Sequence, residues 1–171
     1  MKRLAIAVAI GSLLACSGGS GVGNPAAPTP PATNTNISGT NANTGGSYNG
    51  TITASSTCSA NLPPETRALG FTATITQAGA AVQVQLSSGG NTVTVSGTVS
   101  GQTVTFPSFS FSGVGRGAGV TVVATGGSAS VAADGSIAGT LSGTYQTPSG
   151  SCNAANHQLQ MVKPSPTVPR P

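Results

Sequence analysis

The chain has 171 residues, of which only 5% are charged, with a formal net charge of +4. Glu65 and Asp134 are its only acids and His157 its only histidine, which argues against a two-carboxylate glycosidase and against a zinc or iron site of three or four ligands. The basic residues are scattered, whereas nucleic-acid binding needs a clustered basic face, so no nucleic-acid partner is expected.

The N-terminus has the organisation of an export signal. Lys2 and Arg3 precede an apolar run from Leu4 to Leu14. A bilayer-spanning helix needs about 20 residues, so this run is too short to span and is typical of a signal peptide. The sequence Leu13-Leu14-Ala15-Cys16 follows directly and resembles the lipobox of bacterial lipoproteins. The alternative is an ordinary secretory signal with a chance cysteine at its cleavage site.

The lipobox resemblance implies how the chain is anchored. Residues 1–15 would be removed as the signal peptide, diacylglycerol would be attached to the Cys16 sulfur, and a fatty acid such as palmitate could follow on the new amino group. One acyl chain holds a protein only marginally, whereas two or three hold it stably. Because Ser17 rather than Asp follows the cysteine, the resemblance favours the outer membrane in a bacterium with two membranes. We therefore expect an exported chain, anchored in the cell envelope with membrane lipid as its partner.

Two segments have the composition of flexible chain. Residues 16–46 comprise the expected lipidated cysteine and a linker rich in Gly, Pro, Asn and Thr, and residues 163–171 form a proline-rich tail. Such segments bury too little apolar surface to repay the entropy of ordering. The sequence therefore predicts one folded domain, residues 47–162.

Within residues 47–162 the hydrophobic period is two. Val82, Val84 and Leu86 alternate with polar residues, for example, and a similar alternation continues from Val104 to Phe111. Such alternation, with Thr on the polar positions, predicts strands. Asp134-Gly135 is a strong hairpin signal; further turns are predicted at Ala78-Gly79, Ser100-Gly101 and Gly126-Gly127. We expect an all-β domain, an antiparallel up-and-down β-barrel of about 8–10 strands, with a β-sandwich as the alternative.

Three short patterns give a family resemblance. They are an opening Tyr48-x-Gly50 strand, Ile75-Thr76-Gln77-x-Gly79, and Val95-x-Gly97-x-Val99. Together they resemble the lipocalin-like (calycin) barrels of bacterial secreted proteins. This resemblance implies a closed barrel whose interior could hold a small apolar ligand.

The inward-facing positions predicted by the alternation define a candidate ligand cavity. Its aromatic members are Tyr48, Phe71, Phe106, Phe109, Phe111 and Tyr145. A small barrel can enclose a ligand, but it can equally be filled by its own side chains. Two functions therefore remain open for a non-enzymatic lipoprotein: binding a small apolar ligand, or acting as a structural or protein-interaction protein of the envelope.

Two cysteines remain once Cys16 is assigned to lipid. Cys58 lies after the first predicted strand and Cys152 before the last, and these strands would be neighbours in a closed barrel. Two cysteines in an exported domain most often pair, so we predict a Cys58–Cys152 disulfide. Metal binding and a reactive thiol are the alternatives.

The sequence gives no catalytic set. His157 alternates in phase with Leu159 and Met161, so we interpret it as a core histidine rather than a base or a ligand. A Ser-His-Asp set could be assembled on paper, but no nucleophile-elbow motif accompanies it. We therefore predict no catalytic residues, no metal and no cofactor.

Overall fold

The computed structural model describes residues 40–115 and 118–165. The predicted signal peptide, Cys16 and most of the predicted linker lie outside these residues, as does the end of the tail. The described residues form nine β-strands and two 3-10 helices: β1 Gly46–Thr53, η1 Ser56–Ala60, η2 Pro64–Thr66, β2 Ala68–Ala78, β3 Ala81–Ser88, β4 Asn91–Ser100, β5 Thr103–Phe106, β6 Phe109–Val114, β7 Gly119–Val131, β8 Ile137–Thr147 and β9 Gly150–Val162.

Eight of these strands close into an antiparallel barrel. Consecutive strands pair from β1 to β5 and from β7 to β9. Two further ladders complete the circle, because Leu159 of β9 lies opposite Ile52 of β1 and Ala129 of β7 lies opposite Val104 of β5. The prediction of an antiparallel barrel is confirmed, and the β-sandwich alternative is wrong.

The residues that alternate in the sequence face alternately the inside and the outside of the barrel. In β3, Val82, Val84 and Leu86 are buried, while Gln83 and Gln85 are exposed. The buried apolar side chains of all nine strands form one core cluster inside the barrel. The core therefore depends on the period of two.

The ninth strand, β6, continues the line of β5 outside the closed circle. Phe106 of β5 lies opposite Gly127 of β7, and Phe109 of β6 lies opposite Ala124, so both strands follow β7 in one register. Pro107 lies between them and has no N–H to donate. The segment from Val104 to Phe111, which the sequence presents as continuous, is therefore divided at this proline.

Most of the predicted turns are confirmed, and one is wrong. Ala78-Gly79, Ser100-Gly101 and Asp134-Gly135 lie at hairpin connections, as expected. Gly126-Gly127 lies inside β7, where the pairing with β8 shifts register between Ala124 and Gly126. Gly126 has φ +152, a conformation that favours glycine. The glycine pair therefore marks a β-bulge, which bends a strand, rather than a turn.

Non-strand segments lie against both ends of the barrel. At one end the Ala42 N–H donates to the Gly101 carbonyl oxygen at 2.7 Å, and buried Thr44 donates both its N–H and its hydroxyl to Gln77 Oε1 at 2.8 Å. At the other end the η1–η2 segment places Leu62 in the core. Ordered contacts thus begin before β1, within the segment whose composition resembles a linker.

Candidate functional site

The predicted lipidation site, Cys16, lies outside the described residues and stays a prediction. Among residues 40–115 and 118–165, no helix is long and apolar enough to cross a membrane.

The predicted disulfide is confirmed. Cys58 and Cys152 are bonded, with their Cα atoms 5.5 Å apart and a separation of 94 positions in sequence. Cys58 belongs to η1, which follows β1, and Cys152 belongs to β9, which pairs with β1. Closure of the barrel brings the two cysteines together, and the bond fastens the η1–η2 segment to the last strand.

The six aromatic residues of the candidate cavity all contribute to the core. Five are buried, and Phe109 is half-buried and packs against the cluster. Phe71 and Phe111 meet edge to face, with ring centroids 6.0 Å apart, a favourable aromatic geometry. The predicted inward orientation of these residues is therefore correct, and they pack with one another and with the aliphatic core.

Little space remains between these side chains. An apolar cavity near the middle of the barrel offers ≈ 10 Å³ to the centre of a water-sized sphere, which is about the room that one water needs. Its lining is Ile52, Val84, Leu86, Val95, Phe106, Phe109, Leu159 and Met161. Sites for small molecules usually measure roughly 300–1,000 Å³, so this cavity is closer to a packing void than to a ligand site.

The two tyrosines are equally buried but differ in their hydrogen bonding. The Tyr48 hydroxyl donates to the Thr44 carbonyl oxygen at 2.8 Å. The Tyr145 hydroxyl is buried and has no partner among the described residues. Burial raises the pKa of both phenols, that of Tyr145 more strongly. An unpaired buried hydroxyl costs stability, so Tyr145 is an unusual core residue.

His157 is fully buried, with both ring nitrogens engaged. Its Nδ1 accepts the Ser55 backbone N–H at 3.1 Å, so the ring proton of a neutral imidazole must be on Nε2. That N–H donates to the Gly143 carbonyl oxygen, 3.0 Å away. The interpretation as a core histidine is confirmed. Its two bonds to the backbone could not be predicted from the hydrophobic period, and they leave neither nitrogen free to act as a base or a ligand.

The charged side chains of residues 40–115 and 118–165 lie away from the strands of the barrel. Glu65 and Arg67 belong to the η1–η2 region, Asp134 to the β7–β8 turn, and Lys163 follows β9. No strand of the described chain carries Asp, Glu, Lys or Arg. In the same residues, no three His, Cys, Asp or Glu side chains come together as a metal-binding group.

The outer wall instead presents rows of hydroxyl and amide groups, most regularly on β2, β3 and β4. We call this surface the β2–β4 face and define it by its outward residues Thr72, Thr74, Thr76, Gln83, Gln85, Ser87, Thr92, Thr94 and Ser96. The sequence predicted a Thr-rich polar face but not its rows, because these depend on strand register. In one row Gln85 lies opposite Thr74 and Thr94.

Comparison with known proteins adds no relative. No protein-family model matches the chain, and neither a curated protein nor a solved structure matches it. The eight-stranded antiparallel barrel is compatible with a lipocalin-like fold.

Proposed function

We propose that this chain is a lipid-anchored, non-enzymatic protein of the bacterial cell envelope that works through the outside of its barrel. Its lipobox-like sequence and Cys16 support the anchor, which would place the protein on membrane lipid, in the outer membrane where a bacterium has two. The disulfide between Cys58 and Cys152 fits an exported protein, because such bonds persist in oxidising compartments.

The packed interior is the observation that favours surface interaction over the binding of a ligand inside the barrel. A lipocalin-like protein that held an apolar ligand would need an enclosed hollow, but the central cavity has room for about one water. The aromatic side chains that could have lined such a hollow fill it instead. The outside of the barrel is then the part of the domain that remains available for a partner.

The buried polar groups support a non-enzymatic role. His157 uses both nitrogens to bind backbone groups. Glu65 and Asp134 lie at opposite ends of the barrel, in η2 and in the β7–β8 turn. General acid–base catalysis needs titratable groups within hydrogen-bond reach of one substrate, and these three residues do not share such a place.

Metabolic labelling tests the anchor. Cells expressing the chain receive an alkyne analogue of palmitate, and labelling and fractionation are compared between wild type and Cys16→Ala. We expect label and membrane association in wild type and neither in the variant, with Cys58→Ala together with Cys152→Ala as the control that keeps Cys16. Equal labelling of wild type and Cys16→Ala would refute the anchor.

A further inference from the structure

The β2–β4 face differs from an ordinary protein surface because its strands carry no charge. Protein surfaces are typically rich in charged residues, whereas the outward residues of this face are Thr, Gln and Ser. Its side chains on neighbouring strands lie in register: Gln85 lies between Thr74 and Thr94, and Gln83 between Thr76 and Ser96. Successive outward residues of one strand are about 6.8 Å apart, and adjacent strands about 4.8 Å apart, so the face is a regular grid of neutral polar groups.

The centre of this grid is a shallow depression with unused hydrogen-bonding capacity. It offers ≈ 210 Å³ and is lined by Thr74, Thr76, Gln83, Gln85 and Thr94. A second depression of ≈ 270 Å³ adjoins it and shares Thr76 and Gln83. None of the five lining side chains makes a side-chain hydrogen bond to another described residue, so their amide and hydroxyl groups are free to bind a partner.

The composition of the face decides which partner chemistry fits. The large exposed hydrophobic residues of the described chain, Val114, Val123 and Val162, lie on other strands. The face therefore lacks the aromatic, aliphatic or Arg anchors that dominate protein–protein binding. It has neither the basic residues that attract nucleic acid or anionic lipid nor the apolar side that inserts into a membrane. What remains complementary to it is an uncharged molecule rich in hydroxyl groups.

We propose that the β2–β4 face binds a neutral polysaccharide. Sugar hydroxyls both donate and accept hydrogen bonds, as do the glutamine amides and threonine hydroxyls of the face, and neither side has a charge to desolvate. The proposal rests on the proposed function, since it names the partner of the outer wall of an envelope protein.

The absence of aromatic side chains on the face determines how this binding behaves. Each hydrogen bond to water-exposed groups contributes little net affinity, so one sugar unit binds weakly. A polymer presents many units to the grid, and its effective concentration strengthens attachment. Binding should therefore need a polymer, and salt should hardly change it, because screening weakens only charged interactions.

Affinity electrophoresis tests the proposal on the full chain in a neutral detergent. Native gels contain dextran, laminarin or galactomannan as neutral probes, or heparin as a charged control. The test variant is Gln83→Glu with Gln85→Glu on β3. Its matched control is Gln158→Glu with Gln160→Glu on β9, which has the same spacing and exposure but lies beyond β2 and β1 around the barrel. Thr74→Val with Thr94→Val removes hydroxyls without adding charge.

We expect at least one neutral polymer to retard wild type at both low and high salt, with no retardation by heparin. The β3 variant should bind about tenfold more weakly, the threonine variant should also weaken, and the β9 control should match wild type. No retardation by any neutral polymer, equal binding by the β3 and β9 variants, or a change of self-association instead would overturn the proposal. Labelling of Cys16 is measured separately, so a lipidated chain that binds no glycan would leave the proposed function standing.

Discussion

Tyr145 and Tyr48 offer a matched pair for testing how the core of this barrel is stabilised. Both rings are buried, at 0% and 1% exposure, but only the Tyr48 hydroxyl has a partner, the Thr44 carbonyl oxygen at 2.8 Å. Replacing each tyrosine with phenylalanine deletes one oxygen and keeps the ring. The two substitutions therefore differ in whether that oxygen was hydrogen-bonded.

The two substitutions should differ in their effect on the free energy of unfolding. A buried polar group without a partner costs about 1–3 kcal/mol, so Tyr145→Phe should leave the free energy of unfolding unchanged or raise it by about 1 kcal/mol. Tyr48→Phe removes a hydrogen bond and leaves the Thr44 carbonyl unpaired, so it should lower the free energy of unfolding by about 1–2 kcal/mol. For a domain of this size, 1 kcal/mol corresponds to about 4 °C in Tm.

The dependence of stability on alkaline pH provides a second test of Tyr145. Burial raises the pKa of Tyr145 in the folded chain, whereas an unfolded tyrosine ionises near pH 10. Above about pH 10 the unfolded state therefore binds fewer protons than the folded state, and stability falls as pH rises. Tyr145→Phe lacks this group, so its stability should fall less steeply above pH 10 than that of wild type.

Urea unfolding and thermal melting of the oxidised chain, followed by far-UV circular dichroism, measure both effects. If Tyr145→Phe costs as much as Tyr48→Phe, the Tyr145 hydroxyl must have a partner such as a buried water, and the reasoning from an unpaired group fails. A wild-type stability that stays flat above pH 10 would contradict the argument from burial.

Three further predictions concern stability. The Cys58–Cys152 bond joins residues 94 positions apart in sequence. Its reduction should lower the free energy of unfolding by about 4–5 kcal/mol in the chain-entropy treatment and lower Tm by more than about 10 °C. Unchanged melts with and without reductant would contradict this. Gly139→Ala should lower the free energy of unfolding by about 1–3 kcal/mol or more, because a Cβ there would overlap the Ser128 carbonyl oxygen. Gly70→Ala is the control, since a Cβ at Gly70 meets nothing within 4 Å. Similar urea midpoints for the two variants would refute this prediction. A fragment of residues 47–165 should melt below one of residues 40–165, because it lacks the buried hydrogen bonds of Thr44; equal Tm values would show that these contacts contribute nothing.

The parts of this fold that follow local rules could be predicted from the sequence. The hydrophobic period of two predicts which side chains face inward, as in β3, and Asp134-Gly135 predicts the hairpin between β7 and β8. The pairing of Cys58 with Cys152 also followed, because closing a meander brings its first and last strands together. Each of these inferences needs only neighbouring residues or the order of the strands.

Other features depend on how distant strands meet. Gly126-Gly127 has the composition of a turn, but its bulge arises from pairing with β8. A second bulge in β9, between Ala154 and His157, changes which residues face inward, and His157 then reaches backbone groups of β8 and of the segment after β1. The rows of the β2–β4 face likewise depend on register, which period alone does not give.

A filled interior also avoids the free-energy cost of an empty apolar hollow. Empty core volume costs about 24 cal/mol per Å³, so an apolar hollow of roughly 300 Å³ would cost about 7 kcal/mol. That is comparable to the whole stability of a typical domain, about 5–15 kcal/mol. This core has few large side chains, and no described strand carries a charge that could form an ion pair. Packing the aromatic residues together, as Phe71 and Phe111 do, therefore avoids this cost and stabilises the closed barrel.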